Sequence, residues 1–149
     1  MEAALRLLKY RARSRQELAQ RLQRNGVESA VIEEVLARLA AQGYVDDAAF
    51  ARQWVESRLR TGHGRRRIAL ELRVKGIASA TIRGTLTELA DPAHETEAAG
   101  QQVRQRLRLL RGVAPAAQRR RLYALLQRRG YAADVIERVL ARLVTDESE

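Results

Sequence analysis

The 149-residue chain contains no cysteine, which excludes disulfides, thiolate metal sites and thiol nucleophiles. Proline occurs only at Pro92 and Pro115, aromatic side chains make up 4% of the residues, and β-branched residues are dispersed. His63 and His94 are the two histidines. No HExxH pair, no spaced histidine ligands and no phosphate-cradling GxxxxGK[ST] stretch occurs, and Gly62-His63-Gly64 without a preceding strand reads as a turn. No apolar stretch approaches the about 18 residues of a membrane span. The N-terminal MEAALRLLKYRAR lacks a secretory hydrophobic region, so the expectation is a cytoplasmic protein with no membrane association. With no catalytic constellation and no metal or cofactor site to assemble, the expectation is a protein that acts by binding and is not an enzyme.

What is present is helix-forming. Ala, Leu, Arg, Glu and Gln dominate, and 46% of residues are hydrophobic, enough for a core. The expected fold class is all-α. Net charge is +10 with a pI near 11.2, which points towards a polyanionic partner. All but two of the 28 basic side chains are arginine, the exceptions being Lys9 and Lys75. A GC-rich genome raises Arg and Ala together but does not suppress acids, so codon bias leaves the net charge unexplained. Arginine grips phosphate or carboxylate with a planar, bidentate fork.

The chain repeats itself. RLQRNGV around Gly26, ELRVKGI around Gly76 and LLQRRGY around Gly130 recur at intervals of 50 and 54 residues. Eight residues before each glycine stand Leu18, Ile68 and Leu122; four before, Leu22, Leu72 and Leu126. Six after stand Ile32, Ile82 and Ile136; ten after, Leu36, Leu86 and Leu140; thirteen after, Leu39, Leu89 and Leu143. The first two columns form the stripe of a helix closed by glycine, with Arg or Lys in its last turn, and the last three form the stripe of a second helix.

A further helix precedes each pair: about 2–13 with Leu5 and Leu8 inward, about 47–61 with Phe50, Trp54 and Val55 inward, and about 93–111 with Val103, Leu107 and Leu110 inward. Ser14-Arg-Gln-Glu17 has the form of a capping box, Asp46-Asp47 can cap the next helix, and Asp91-Pro92 places proline in a first turn. Tyr44 and Tyr131, at helix junctions, are expected to pack. The spacing thus predicts nine helices in three three-helix units, near 1–44, 45–91 and 92–149, stacked as an elongated, curved array.

The bases are unevenly placed. Between Arg58 and Lys75 stand Arg58, Arg60, Arg65, Arg66, Arg67, Arg73 and Lys75 against Glu71 alone. From Arg104 to Arg129 there are nine arginines and no acid, among them Arg104, Arg108, Arg111, Arg119 and Arg120. The first unit adds Arg6, Lys9, Arg11, Arg13 and Arg15. Acids gather instead in the third helices, as Glu28, Glu33, Glu34, Asp134 and Glu137, and in the terminal DESE. Bases recurring in the first and second helices of every unit can share one face, which would bind backbone phosphates of single-stranded DNA, or alternatively of double-stranded DNA, without reading sequence. The twelve named between Arg58 and Arg120 are the candidate nucleic-acid contacts. Phe50 and Trp54, four apart, suit a core better than base stacking.

Residues 42–77, QGYVDDAAFARQWVESRLRTGHGRRRIALELRVKGI, resemble the signature of the RecX regulatory proteins. The matching elements are Gly43-Tyr44-Val45-Asp46-Asp47, Phe50-Ala51, Arg58, Gly64, Ile68, Glu71-Leu72 and Lys75-Gly76-Ile77, with Val45 where leucine is usual. RSRQELAQRL at 13–22 fits the family's first repeat, and Arg129-Gly130-Tyr131 fits its third. The resemblance implies tandem three-helix units that bind the groove of the RecA–single-stranded DNA filament; the chain is expected to be a monomer. Binding there would block filament extension or promote disassembly, and so damp recombination, repair and the SOS response. Two other readings use the same features. A helix-turn-helix transcription factor would need polar recognition helices, where this chain places acids, and a purely protein-binding scaffold would turn its arginines to acidic partner surfaces.

Overall fold

The helix-start signals act where the sequence places them. In the computed structural model, which describes residues 1–146, Ser14 Oγ accepts from Glu17 N at 3.1 Å while the Glu17 carboxylate accepts from Ser14 N at 3.3 Å. Asp46 accepts from Ala49 N at 3.1 Å, and Asp91, ahead of Pro92, accepts from Ala93 N at 2.9 Å. Nine helices result among the described residues: α1 (Glu2–Tyr10), α2 (Arg15–Arg24), α3 (Ser29–Ala41), α4 (Asp47–Arg60), α5 (Arg65–Val74), α6 (Ser79–Leu89), α7 (Pro92–Leu107), α8 (Pro115–Arg129) and α9 (Ala133–Asp146). Glu147, Ser148 and Glu149 of the acidic terminal run lie outside the described residues.

The helices form three units, each closed around its own core. The repeat columns at −8, −4, +6 and +10 from the glycine are buried in all three, while the +13 column is buried at Leu39 and half-buried at Leu89 and Leu143. Within the second and third units the first helix packs against both of its partners, and α1 packs chiefly on α2. The molecule exposes 9707 Å², against about 7,600 Å² for a compact protein of its 16.8 kDa. Three small cores in a row account for that excess.

Some details differ from the sequence reading. Leu5 is 38% exposed and Ala4 is fully buried; the short α1 contacts its unit through Ala4, Leu7 and Leu8, a narrow i, i+3, i+4 stripe that leaves Leu5 outside. The helix stops at Tyr10 because 11–14 must run extended to deliver Ser14 to its capping box. Likewise α7 ends at Leu107, where Leu109 N and Leu110 N bond three residues back at 3.0 Å and Gly112 turns the chain at φ 82°. Tyr44 is 57% exposed, whereas Tyr131 is buried.

The units meet through a joint that is itself repeated. The start of α2, residues 14–17, docks on the glycine turn of the second unit: Ser14 Oγ donates to Lys75 O at 2.7 Å and Gln16 Nε2 to Val74 O at 3.1 Å. Twelve residues before the next glycine, the start of α5 docks on the turn of the third unit. There Gly64 N donates to Arg129 O at 2.7 Å and Arg66 N to Gly130 O at 3.1 Å. Asp47, expected to cap α4, instead accepts from Arg15 N at 2.9 Å across the first joint.

Candidate nucleic-acid interface

The arginine triplet at the head of α5 is split by helical geometry. At about 100° per residue, Ile68 and Leu72 define the buried stripe. Residues 65, 66, 69, 70 and 73 then lie on one flank and 67, 71 and 75 on the other. The structure follows that division. Arg65, Arg66, Ala69, Leu70, Arg73 and Leu86 line an open groove of about 600 Å³ between α5 and α6. Arg65 Nη2 donates to Leu86 O at 3.3 Å, which lays its guanidinium along the groove wall. Arg66 and Arg73 are exposed and form no ion pair among the described residues. Leu70, 54% exposed between them, offers an apolar surface of the kind a base or sugar can rest on.

The opposite flank is occupied by the protein itself. Glu71 receives Arg58 at 2.7 Å and Arg67 at 3.6 Å. Trp54, stacked on Phe50 with ring centroids 5.9 Å apart, lies between two cations: Arg58 at 5.0 Å and Lys75 at 4.7 Å from its ring. Lys75 Nζ also reaches Glu17 at 3.4 Å. Burial raises the Glu17 pKa, but hydrogen bonds from Arg11 and Ser14 N and the charge of Lys75 outweigh it and hold the carboxyl below its ordinary range. Arg58 and Lys75 are thus partly buried and committed to packing and ion pairs, as Phe50 and Trp54 are to the core.

The other candidates are dispersed. Arg60 lines a pocket of about 280 Å³ at the second joint, with His63, His94, Glu95 and Tyr131. There Glu95 accepts from Arg65 N at 3.4 Å, and burial raises its pKa. Burial and the neighbouring Glu95 push the Tyr131 phenol up to about 12, and burial next to Arg58 and Arg129 lowers the His63 pKa. Arg104 faces a cleft between α7 and α9; Arg108 caps α7, and Arg111 sits in the following turn. Arg119 pairs with Glu137 at 2.6 Å, and Arg120 is exposed on α8. Arg138 and Arg142, which line the same cleft as Arg104, were missed by reading charge runs, because single arginines at helical spacing among apolar residues make no run.

No helix among the described residues is long and apolar enough to cross a membrane. No group of three or more His, Asp or Glu among them is placed to hold a metal ion. Among the described residues, the α5–α6 groove presents Arg66 and Arg73 without ion pairs, with a charged joint at either end of α5.

Comparison with known proteins agrees with this architecture. Models of the first, second and third three-helix domains of RecX match residues 1–39, 46–86 and 94–140. The regulatory protein RecX of Thermobifida fusca is 43% identical over 138 residues, covering 91% of this chain and 74% of the relative. That of Mycobacterium leprae is 46% identical over 145 residues, covering 95% and 84%. The crystal structure of RecX from Lactobacillus salivarius superimposes with a TM-score of 0.84 at 21% identity, over 97% of this chain and 94% of that one, a likeness of fold. Unit by unit and across nearly its whole length, the chain belongs to the RecX family of regulatory proteins.

Proposed function

We propose that this protein regulates a RecA recombinase by binding the RecA–single-stranded DNA filament. As a monomer in the cytoplasm, it blocks filament extension or promotes disassembly, and so modulates recombination, repair and the SOS response. Its three units divide near 44/45 and 91/92. The observation that carries the DNA part of this reading is the α5–α6 groove, where Arg65, Arg66 and Arg73 surround exposed Leu70. Guanidinium forks suit phosphate oxygens, and a backbone-directed contact fits a regulator that must act on any sequence. If about six phosphates are neutralised on a single strand, log K falls against log salt with a slope near −4.

The test is RecA-dependent ATP hydrolysis on single-stranded DNA with the protein added. Unchanged hydrolysis at several-fold molar excess would overturn the reading. A helix-turn-helix transcription factor is disfavoured by Glu33, Glu34 and Glu137, exposed on the third helices, and a sequence-specific footprint on duplex DNA would revive it. Salt-resistant partner binding without DNA affinity would favour a purely protein-binding scaffold.

A further inference from the structure

The third unit contains a cleft of about 620 Å³ between α7 and α9, lined by residues that include Thr96, Glu97, Gly100, Arg104, Arg138 and Arg142. Three guanidinia face one carboxylate. Arg104 and Arg142 form no ion pair among the described residues; Arg138 reaches Asp134 only at 3.9 Å. Arg138 Nη1 lies 3.5 Å from Thr96 Oγ1 on the facing helix, which holds it across the cleft.

Two local choices here run against helix stability. Arg138 and Arg142 are four apart on α9, where like charges repel. Gly100 stands in the interior of α7, where alanine is preferred. A Cβ at position 100 would lie 3.4 Å from Arg104 Nη1, an ordinary contact distance, so position 100 borders that guanidinium and a longer side chain there would reach into the cleft. Asp134 and Thr96 offset part of the cost at Arg138, while Arg104 and Arg142 bring two more guanidinia to the same cavity without an ion pair among the described residues. Local choices against helix stability that converge on one cavity mark a candidate ligand site.

We propose that this cleft binds a phosphate group, held by Arg104, Arg138 and Arg142. Guanidinium forks match phosphate oxygens bidentately, and a cleft of this size takes a phosphate together with the sugar that bears it. The phosphate comes from a DNA backbone or from a free phosphate compound. The DNA source rests on the strand-binding reading above, but the test contains no recombinase, so its failure leaves the ATP-hydrolysis assay standing.

The full chain is titrated with fluorescein-labelled oligothymidylate by anisotropy. Separately, inorganic pyrophosphate is added while backbone amides are followed by NMR. Arg138→Gln/Arg142→Gln is expected to weaken oligonucleotide binding about tenfold and to flatten the salt slope by about 1.4. Gly100→Leu leaves the net charge unchanged, extends a side chain into the cleft and puts a better helix former on α7; it is expected to weaken binding without lowering the melting temperature. Amide shifts at 100–104 and 138–142 with pyrophosphate, and displacement of the oligonucleotide by it, identify a general phosphate site. The same shifts with oligonucleotide alone identify a DNA phosphate. Wild-type binding by Gly100→Leu, or the absence of those shifts with both ligands, overturns the proposal, even if the double arginine variant binds more weakly through lost long-range attraction.

Discussion

The two joints are the same joint built with different chemistry. In each, the start of one unit's second helix sits on the glycine turn of the next unit. At the first, side chains make the contact: Ser14 Oγ to Lys75 O, Gln16 Nε2 to Val74 O, and Glu17 to the Lys75 ammonium. At the second, the equivalent residues are Gly64, Arg66 and Arg67, and the contact is backbone against backbone. The buried Tyr131 hydroxyl adds a bond to Gly62 O at 2.8 Å, and Arg129 Nη1 adds one to Thr61 O at 3.2 Å. Polar side chains can yield by a rotamer change; two backbones in contact cannot. The first joint is therefore the adjustable one, and the second fixes the third unit to the second.

The sharpest way to break this contrast is to add one methyl group. A Cβ on Gly64 would stand 2.6 Å from the Gly130 carbonyl carbon and oxygen, and one on Gly130 would collide with the backbone of Arg67. Gly130 also holds φ 94°. Gly130→Ala is expected to lose about 3 kcal/mol or more, adding overpacking to left-handed strain. Gly26 has the same repeat position and φ 83°, but nothing stands near its missing Cβ. Gly26→Ala therefore costs only the strain, about 1–2 kcal/mol. Thermal melts of the two variants side by side decide the matter; equal losses would remove the steric account of the second joint.

A smaller change keeps every methyl in place. Tyr131→Phe deletes the hydroxyl that satisfies Gly62 O inside the joint. The expected loss is about 1–3 kcal/mol, the penalty of leaving a buried carbonyl unpaired. Urea denaturation at fixed pH measures it, and a loss below about 0.5 kcal/mol would mean that another donor replaces the phenol.

The contrast also marks what was legible in the sequence. The units were legible, because each is closed by short-range signals: a period of helical spacing, a cap, a glycine. The joints were not. Gly64 reads as half of a Gly-His-Gly turn, and Asp47 as a cap; their partners, Arg129 and Arg15, lie 65 and 32 residues away. The candidate site was legible in part for the same reason. Charge runs find Arg65, Arg66 and Arg73, yet a run does not reveal that Arg58 and Lys75 are spent on Trp54, Glu71 and Glu17. Nor does it find Arg138 and Arg142, which only the pairing of α7 with α9 brings to Arg104.

Acid separates the joints by sign. Glu17 has a lowered pKa, so its stabilisation is complete above the ordinary 4.5 and is lost as pH falls through its lower folded value. Glu95 has a raised pKa, so burying its charge destabilises the fold at neutral pH, and that penalty is relieved as pH falls through its higher folded value towards 4.5. Melting temperatures of Glu17→Gln and Glu95→Gln, each measured against wild type from pH 7 to pH 3, are expected to differ in opposite directions at pH 7 and to converge on wild type in acid. His63 opposes Glu95 within the second joint: with its pKa lowered, stability declines as pH falls from the ordinary 6.5 through its folded value. A His63→Gln background isolates the Glu95 contribution. Two differences of the same sign would show that the carboxyls do not distinguish the joints.

Salt gives the smallest effect and the most direct reading of geometry. The Lys75–Glu17 and Arg11–Glu17 pairs, at 3.4 and 2.6 Å, are partly exposed, so each contributes only about 0.2–1 kcal/mol and is screened by ions. The Debye length falls from about 10 Å at 0.1 M to about 3 Å at 1 M salt. The backbone bonds of the second joint carry no net charge and do not respond. Because the chain has no cysteine, pairs of engineered cysteines can be labelled without background. Ala37 with Thr87 spans the first joint and Thr87 with Ala141 the second, all at exposed positions. Single-molecule energy transfer is expected to show a broader distance distribution across the first joint at 1 M than at 0.1 M NaCl, and no change across the second. In Glu17→Gln the first joint should already be broad at 0.1 M, with little further response. If both pairs broaden alike, or neither does, the array is a uniform rod or a uniform spring, and the division into one adjustable and one fixed joint fails.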